Sequence, residues 1–420
     1  MYDVITIGSA TVDVFADTKS QLVKFVTPQG EQDLIAYPSG SKILISGLSF
    51  LVGGGGTNTA VSFARLGLRA AFGGKIGDDE NGYRVLHLLT DEGVDFVGSK
   101  EGQTGYSIVL DSIEHDRTIL TYKGANNTMA EHELPQAKSL WLYLSSMMET
   151  SFASAAVFAT RLKESGARIA FNPSNYQAKL GLARLQPILK LTDVLVLNKE
   201  EAELLLGKQG SPAELATLLS HHQPRYVVVT DGPRGATCYF NKSVYHIAPT
   251  PNLTVRESTG AGDAFASAFV AGLHKGLDIT QALTLGMVQA ESVIQAPGAK
   301  TNLLHYDDAR VRMEHFAGRI HKSPAPESLD TVLDTLPQQT ESAANPFYFS
   351  NGKELTTLEE LAYYLRFVKE ETFRKHVHDS TNDFALWIEH SLHLDDLARQ
   401  VRTIDNQFTM SKLIMEYIHR

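Results

Sequence analysis

An α/β fold with a mainly parallel sheet covered by helices, followed by a separate α-helical module, is the architecture this sequence predicts. Three observations point to it. From residue 1 to about 305, short runs rich in Val and Ile alternate with longer segments of helical period, the pattern of parallel strands joined by crossover helices. At Thr104–Lys123 the texture changes, and Gly105–Asp111 and Arg117–Tyr122 read as two β-rich runs around a polar turn, a hairpin able to close over a site as a lid. Beyond His321–Asn345, a stretch with three prolines, many Ser and Gln and little apolar periodicity, a helical stripe returns.

In chain order, strands are expected at Asp3–Gly8, Ala70–Gly74, Leu140–Ser145, Arg168–Asn172, Val194–Leu197 and Tyr226–Thr230. Helices are expected at Thr57–Leu66, Asn81–Glu92, Glu200–Gly207 and Pro212–His221, and over the small-residue run Ala266–Leu273. The expected domains are 1–305, with a small β lid within 14–50 and 104–123, then a helix end and linker over 306–345, and a helical module over 346–420. In that module Thr356 with Glu359 forms a capping box, and Leu358, Leu361, Leu365 and Val368 share one face. Asn382–Ala398 reads as one amphipathic helix, whose apolar face would dock on the core, on its counterpart in a dimer, or on another protein. His376, His378, His390 and His393 lie close together in sequence, but a spacing of two on a helix points His376 and His378 apart, so metal is not expected there.

Composition excludes several classes of function. With 43% hydrophobic and 20% charged residues in 420, the chain is neither fibrous nor disordered. Its net charge of −10 would repel a phosphate backbone, which argues against nucleic acid as a partner. No apolar run approaches 18 residues, so no membrane span is expected. A single cysteine, Cys238, and a start that runs straight into a strand fit a reducing cytoplasm.

The chemistry is expected in four segments. In Glu257–Phe265 (ESTGAGDAF), Gly260, Ala261 and Gly262 stand just before a helix, where exposed N–H groups and the positive dipole end make an anion site. Asp263 falls in the first turn beside it, placed to take the proton of an attacking hydroxyl, although a dipole-stabilised charge in a tight turn reads equally well. The run Gly53–Asn58 (GGGGTN) also enters a helix, either as a ligand-approach loop with Asn58 offering donor and acceptor, or as a plain capped turn. Asn198 and Glu201 follow a strand's carboxyl end one turn apart, where they would hold hydrated Mg²⁺ and phosphates or simply cap a helix. Thr230–Gly235 follows another buried strand and would line a nucleotide site or form a hairpin turn.

Taken together in this order, GGGGTNTAVSFARLG (53–67), GKIGDDENG (74–82), NKEEAELL (198–205), VVVTDGPRGA (227–236) and STGAGDAF (258–265) closely resemble the ribokinase-like, pfkB-type carbohydrate kinase family. The resemblance covers roughly residues 1–305 and implies a three-layer core and an ATP-dependent kinase acting on a small sugar or nucleoside. It implies that Asp263 is the general base, that the Gly260–Gly262 amides bear charge on the transferring group, and that Asn198 and Glu201 organise Mg²⁺. It also implies that Asp13, Gly54, Gly55 and Asn58 grip the acceptor and that Thr230, Gly232 and Gly235 lie on the nucleotide side. The likeness of NPFYFSNGKEL…NDFALWIEHSL to a small helical module of unknown function, found on varied bacterial proteins, is weaker and assigns no role.

Departures from the family pattern matter as well. Glu257 stands where the family usually has Asp, and with the Gly298–Ala299 loop that neighbourhood supplies carbonyls to K⁺ in cation-activated members, so K⁺ dependence is in doubt. Ribokinases proper carry Lys at the place of Gly55. Lys24 and Lys42, in a long stretch after the first strand, are candidates to reach substrate. A free sugar is the expected acceptor. A sugar phosphate would call on Arg117 and Lys123, and a nucleoside on Tyr106 and Tyr122 for stacking. We also expect a homodimer and a tail that contacts another protein. A non-catalytic sugar or nucleotide sensor is the competing class, disfavoured because a sensor has no need of a base at Asp263.

Overall fold

The computed structural model describes all residues except 21, 28–29, 113–116, 317, 327–342, 344, 367, 379–380 and 419–420. Most of the linker expected over 321–345 therefore lies outside the described residues. The chain divides into two compact units, Met1–Ala325 and Pro326–Arg420.

In the first unit the apolar runs become a sheet of ten strands. They are β1 (Tyr2–Ile7), β4 (Ala70–Phe72), β5 (Asp95–Phe96), β8 (Ser139–Leu144), β9 (Arg168–Phe171), β10 (Val194–Asn198), β11 (Tyr226–Thr230), β12 (Ala236–Phe240), β13 (Ser243–Ile247) and β14 (Ile320–Pro324). Their order is β14-β13-β12-β11-β10-β9-β8-β1-β4-β5. Pairing is parallel from β5 through β11 and antiparallel from there to β14. The remaining labels, β2 (Thr11–Ser20), β3 (Gly47–Gly53), β6 (Gly105–Ser112) and β7 (Arg117–Tyr122), form a second sheet in the order β7-β6-β2-β3, the β lid.

Successive side chains of a strand point to opposite faces, and here both faces are covered. Val4, Tyr143, Ala170, Val196 and Val228 pack with Phe265, Phe269 and Leu285 from the helices Ala261–His274 and Ile279–Val293. Ile5, Leu144, Phe171, Leu195 and Val229 pack on the other side with Phe158 and Leu215 from Glu149–Glu164 and Pro212–Ser220. Burial on two faces is why these strands appear in the sequence as unbroken apolar runs.

Three expectations change. Residues 306–325, read as helix end and linker start, form the helix Tyr306–Met313 and the edge strand β14, which pairs with β13 from Ile247↔Ile320 to Ser243↔Pro324. In the second unit the capping box is one residue later than expected: Thr357 Oγ1 accepts from the Glu360 N–H, and Glu360 returns a bond to the Thr357 N–H. Glu359, the expected partner, is buried. The expected single helix Asn382–Ala398 is two helices, Asp383–Ser391 and Asp395–Val401, because His393 takes a left-handed φ of 57° between them.

The second unit has its own core, in which Leu358, Leu361 and Leu365 meet Phe384, Trp387, Ile388, Val401 and Ile414. His376 serves that core. Its Nε2 accepts from the Ser350 N–H at 2.9 Å, so Nδ1 carries the proton and donates to Asp383 at 3.0 Å, while Phe347 and Phe349 pack edge-on to its ring. Among the described residues no group of three or more His, Cys, Asp or Glu is arranged to hold a metal, and no helix is long and apolar enough to cross a membrane.

Candidate active site

Parallel strands all end on one edge of the sheet, and the chain leaves β1 toward β4 on one side and later fills β8 to β11 on the other. The crevice at such a reversal is where open α/β sheets bind ligands. Around it the strand ends deliver polar residues: Ser9 after β1, Ser145 after β8, Asn172 after β9, Asn198 at the end of β10 and Thr230 at the end of β11. A cleft of about 200 Å³ is lined there by Asn172, Asn198, Glu201, Thr230, Gly260, Gly262 and Asp263.

Asp263 enters on the first turn of the helix Ala261–His274, whose N-cap Gly260 (φ 82°) has no side chain to occupy the orphan amides. A side chain at Gly262 would meet nothing within 4 Å, so this backbone is open to an anion. Ala261, the third expected donor, instead gives its N–H to Ser258 O at 3.2 Å. Ser267 steadies the helix start by donating to Asp263 O at 2.6 Å, which leaves its oxygen to accept from the Ser62 hydroxyl at 2.7 Å. Burial raises the pKa of the Asp263 carboxyl, while Asn58 and Lys300 pull it back down.

Facing Asp263 is the glycine run. A Cβ at Gly55 would lie 2.1 Å from Ser145 Oγ and 3.3 Å from Asp263 Oδ1, and a Cβ at Gly53 would lie 1.9 Å from Asp13 Oδ2. A side chain at either position would have to displace these groups. Gly54, with φ 92°, caps the helix Gly55–Arg65, which carries Asn58 inward to donate from Nδ2 to Asp263 Oδ2 at 2.8 Å. Asp13 sits on β2 opposite Leu51 of β3 and Ser107 of β6. With Phe15, Ser107, Ile119, Glu257 and Thr259 it lines a second cavity of about 80 Å³ under the lid.

Asn198 and Glu201 cap one another, with Asn198 Oδ1 accepting from the Glu201 N–H at 2.8 Å and Glu201 Oε2 from the Asn198 N–H at 2.9 Å. The capping and cleft-lining readings hold together, since both residues also face the cleft. Burial, with Glu200 and Asp263 adding to it, raises Glu201 to a pKa of about 7 against the opposing bond from Asn198. A carboxylate so penalised for its charge, beside neutral amide oxygens, suits a hard divalent cation that keeps its own water and phosphate ligands.

The other expected residues divide. Thr230 lines the cleft. Gly232 and Gly235 lie in the one-turn helix Gly232–Arg234 and its cap, where Asp231 and Arg234 pair at 2.7 Å, and do not themselves line the cleft. Gly298 is also outside it and gives its N–H to Glu257 Oε2 at 3.0 Å. Lys24 and Lys42 are exposed and line neither cavity. Tyr106 packs with Val12, Phe72 and Ile76, and Tyr122 is exposed on the lid. The side chain of Arg117 lies outside the described residues. Lys123 is half-buried, its ammonium 5.1 Å from the Tyr176 ring centroid, with its pKa lowered by burial and raised by Asp13.

Sequence reasoning missed Ser145, Asn172 and Lys300. The first two are the last residues of predicted strands, a position that could have flagged them. Lys300 is buried, with Nζ donating to Asn58 Oδ1 at 2.5 Å and to Val52 O at 2.6 Å.

The family described as pfkB family carbohydrate kinase matches residues 4–305. An uncharacterized sugar kinase of Archaeoglobus fulgidus is 31% identical over 249 residues, 58% of this chain and 98% of that protein. A fructokinase of Klebsiella pneumoniae is 30% identical over 276 residues, 61% of this chain and 90% of that one. The crystal structure of ribokinase from Cryptococcus neoformans var. grubii in complex with ADP superposes with a TM-score of 0.59 at 25% identity, covering 74% of this chain and 98% of that chain.

Proposed function

Because the chain belongs to the pfkB family of carbohydrate kinases, we propose that it transfers the γ-phosphoryl group of ATP to a hydroxyl of a small free sugar, with Asp263 as the base. The observation that carries this reading is the placement of Asp263: one carboxylate oxygen is held by Asn58, the other faces Gly55, and the open amides of the same helix start lie alongside. The acceptor hydroxyl gives its proton to Asp263 as its oxygen bonds to the γ-phosphorus, and the bond to the β-phosphate oxygen breaks to release ADP. The amides of Gly260 and Gly262 meet the charge on the phosphoryl oxygens. Asp13, Asn58 and the Gly54–Gly55 backbone hold the sugar. Asn198 and Glu201 are placed to hold Mg²⁺ through water, and the ion would supply charge neutralisation along the phosphates. Thr230 borders the nucleotide.

A second reading, an acceptor that already bears a phosphate, has Lys123 in its favour, a half-buried ammonium beside Asp13. The test is ADP release with Mg-ATP across free hexoses, ribose, sugar phosphates and nucleosides, with and without K⁺, using Asp263→Asn as the control. Turnover with a free sugar, lost in the variant and independent of K⁺, is expected. Turnover with sugar phosphates alone would select the second reading, and an active variant would overturn the base assignment.

A further inference from the structure

We propose that Lys300 is a positioning residue of this site: its ammonium dictates which way the Asn58 carboxamide faces, and thereby which oxygen of Asp263 is left to take the acceptor's proton. The proposal rests on the assignment of Asp263 as the base.

An ammonium has three donors and no acceptor, whereas a carboxamide has one acceptor end and one donor end. Lys300 Nζ lies 2.5 Å from one end of the Asn58 amide, and Asp263 Oδ2 lies 2.8 Å from the other. Only one orientation satisfies both neighbours, with Oδ1 on the ammonium and Nδ2 on the carboxylate. The flipped amide would set donor against donor and acceptor against acceptor, with Asn58 6% and Lys300 8% exposed and little water to compensate. Without the ammonium one of the two groups that impose that choice is gone, and only the Asp263 carboxylate still holds the amide against rotation. With the ammonium, Oδ2 of Asp263 is occupied and Oδ1 faces the side-chain-free surface of Gly55.

The ammonium is itself held in place. Its other bond goes to Val52 O on the lid strand β3. Its backbone carbonyl accepts from Arg65 Nη1 at 3.1 Å, Leu303 O accepts from the same group at 2.9 Å, and Arg65 is clamped by Glu92 at 2.6 Å. The preceding residue, Ala299, packs against Gly260, where an added Cβ would lie 2.4 Å from the Ala299 Cβ. One short loop thus touches the anion site, the base through Asn58, and the lid. Burial lowers the pKa of the Lys300 ammonium to about 7, with Arg65 adding to the effect, while Asp13, Asp263 and Glu92 favour its charge.

The test uses the full chain with Lys300→Met, Asn58→Ala, the double variant and Lys300→Gln, the last keeping a donor if Lys300→Met does not fold. D-fructose and D-ribose are the acceptors. We expect kcat to fall about 10²-fold in Lys300→Met, the scale of a misplaced catalytic group, with the KM for ATP unchanged. The double variant should be no slower than Asn58→Ala, since both act through one amide, and Lys300→Gln should recover part of the loss. Multiplicative losses in the double variant, or Lys300→Gln no better than Lys300→Met, would overturn the proposal. A second arm needs no acceptor: the pH range over which Asp263→Asn changes the unfolding temperature should move upward by at least about one pH unit in the Lys300→Met background, because the ammonium stabilises the carboxylate. An unmoved range would overturn the proposal independently of turnover. Silence of the wild type with both sugars would count against those acceptors in the preceding reading, and the second arm would still show whether the Lys300 charge acts on Asp263.

Discussion

Asn58 Nδ2 and Asp263 Oδ2 meet at 2.8 Å although 205 positions separate them in sequence. The bond joins the helix after the glycine run to the helix after the anion loop, and each brings to the cleft what the other lacks. In the function proposed, one supplies the floor on which the acceptor would lie, and the other the carboxylate that would take its proton.

This carboxylate should trade stability for function. Burial raises the pKa of Asp263 in the folded state, so between the unfolded and folded values the native protein holds more protons than the unfolded chain, and stability declines as pH rises through that window. At pH 7, above the ordinary carboxylate range, that penalty is felt. Asp263→Asn should therefore unfold at a higher temperature than wild type at pH 7, and the gap should close toward the ordinary carboxylate range near pH 4. Turnover should fall about 10²–10⁴-fold with nucleotide binding retained. Calorimetry across pH together with an ADP-release assay checks both halves, and an unfolding temperature no higher than wild type at pH 7 would contradict the first.

Glu201 predicts a second pH effect. Its pKa of about 7 leaves it half neutral at physiological pH, and the neutral form attracts no cation. With kcat/KM for Mg-ATP measured at limiting Mg²⁺, the rate should climb as pH passes about 7, and Glu201→Gln should flatten that limb while raising the Mg²⁺ needed for half-saturation about tenfold or more. An identical limb in the variant would remove Glu201 from the metal's surroundings.

Gly53 gives a prediction about the acceptor. A methyl at this position would stand 1.9 Å from Asp13 Oδ2, so Gly53→Ala must push the Asp13 carboxylate out of place. Because Asp263 is untouched, the loss should appear as a rise of about tenfold in the acceptor KM, matched by Asp13→Ala, with kcat changed less. Steady-state kinetics of the two variants decide the matter, and a normal KM in both would take Asp13 out of the acceptor site.

What could be read in advance follows from how local each signal is. The strand ends and the two glycine loops carry their chemistry within a few consecutive residues, so Asp263, Asn58 and the Asn198–Glu201 pair were legible before any fold was known. Lys300 was not, because it meets Asn58 from 242 residues away, and a lone lysine in a loop looks like any solvated charge. The capping box slipped by one residue because Thr356–Thr357 and Glu359–Glu360 each offer two candidates, and only burial of Glu359 separates them. The break at His393 left no mark, since no glycine or proline stands there. The strand β14 was hidden by its position at the sheet edge, where one neighbour suffices and polar residues such as His321, Lys322 and Ser323 remain exposed.

That edge strand sets where the kinase unit can be cut. A protein ending at residue 305 loses the helix with buried Ala309, the buried Phe316 and Ile320, all of which pack on the cluster around Tyr245 and Ile247. It also leaves β13 as a bare edge, a template for pairing with other chains. Uncovering these side chains removes about 3–5 kcal/mol of burial, enough to lower the unfolding temperature by roughly 10 °C in a domain of this size. A protein ending at residue 325 keeps β14 and the core clusters of the first unit. Expressed side by side, the 1–325 protein should be soluble and should turn over sugar, while the 1–305 protein aggregates or melts early. If the two behave alike, β14 contributes nothing to the sheet. If both are insoluble, residues 326–420 cover a surface that the first unit cannot leave exposed.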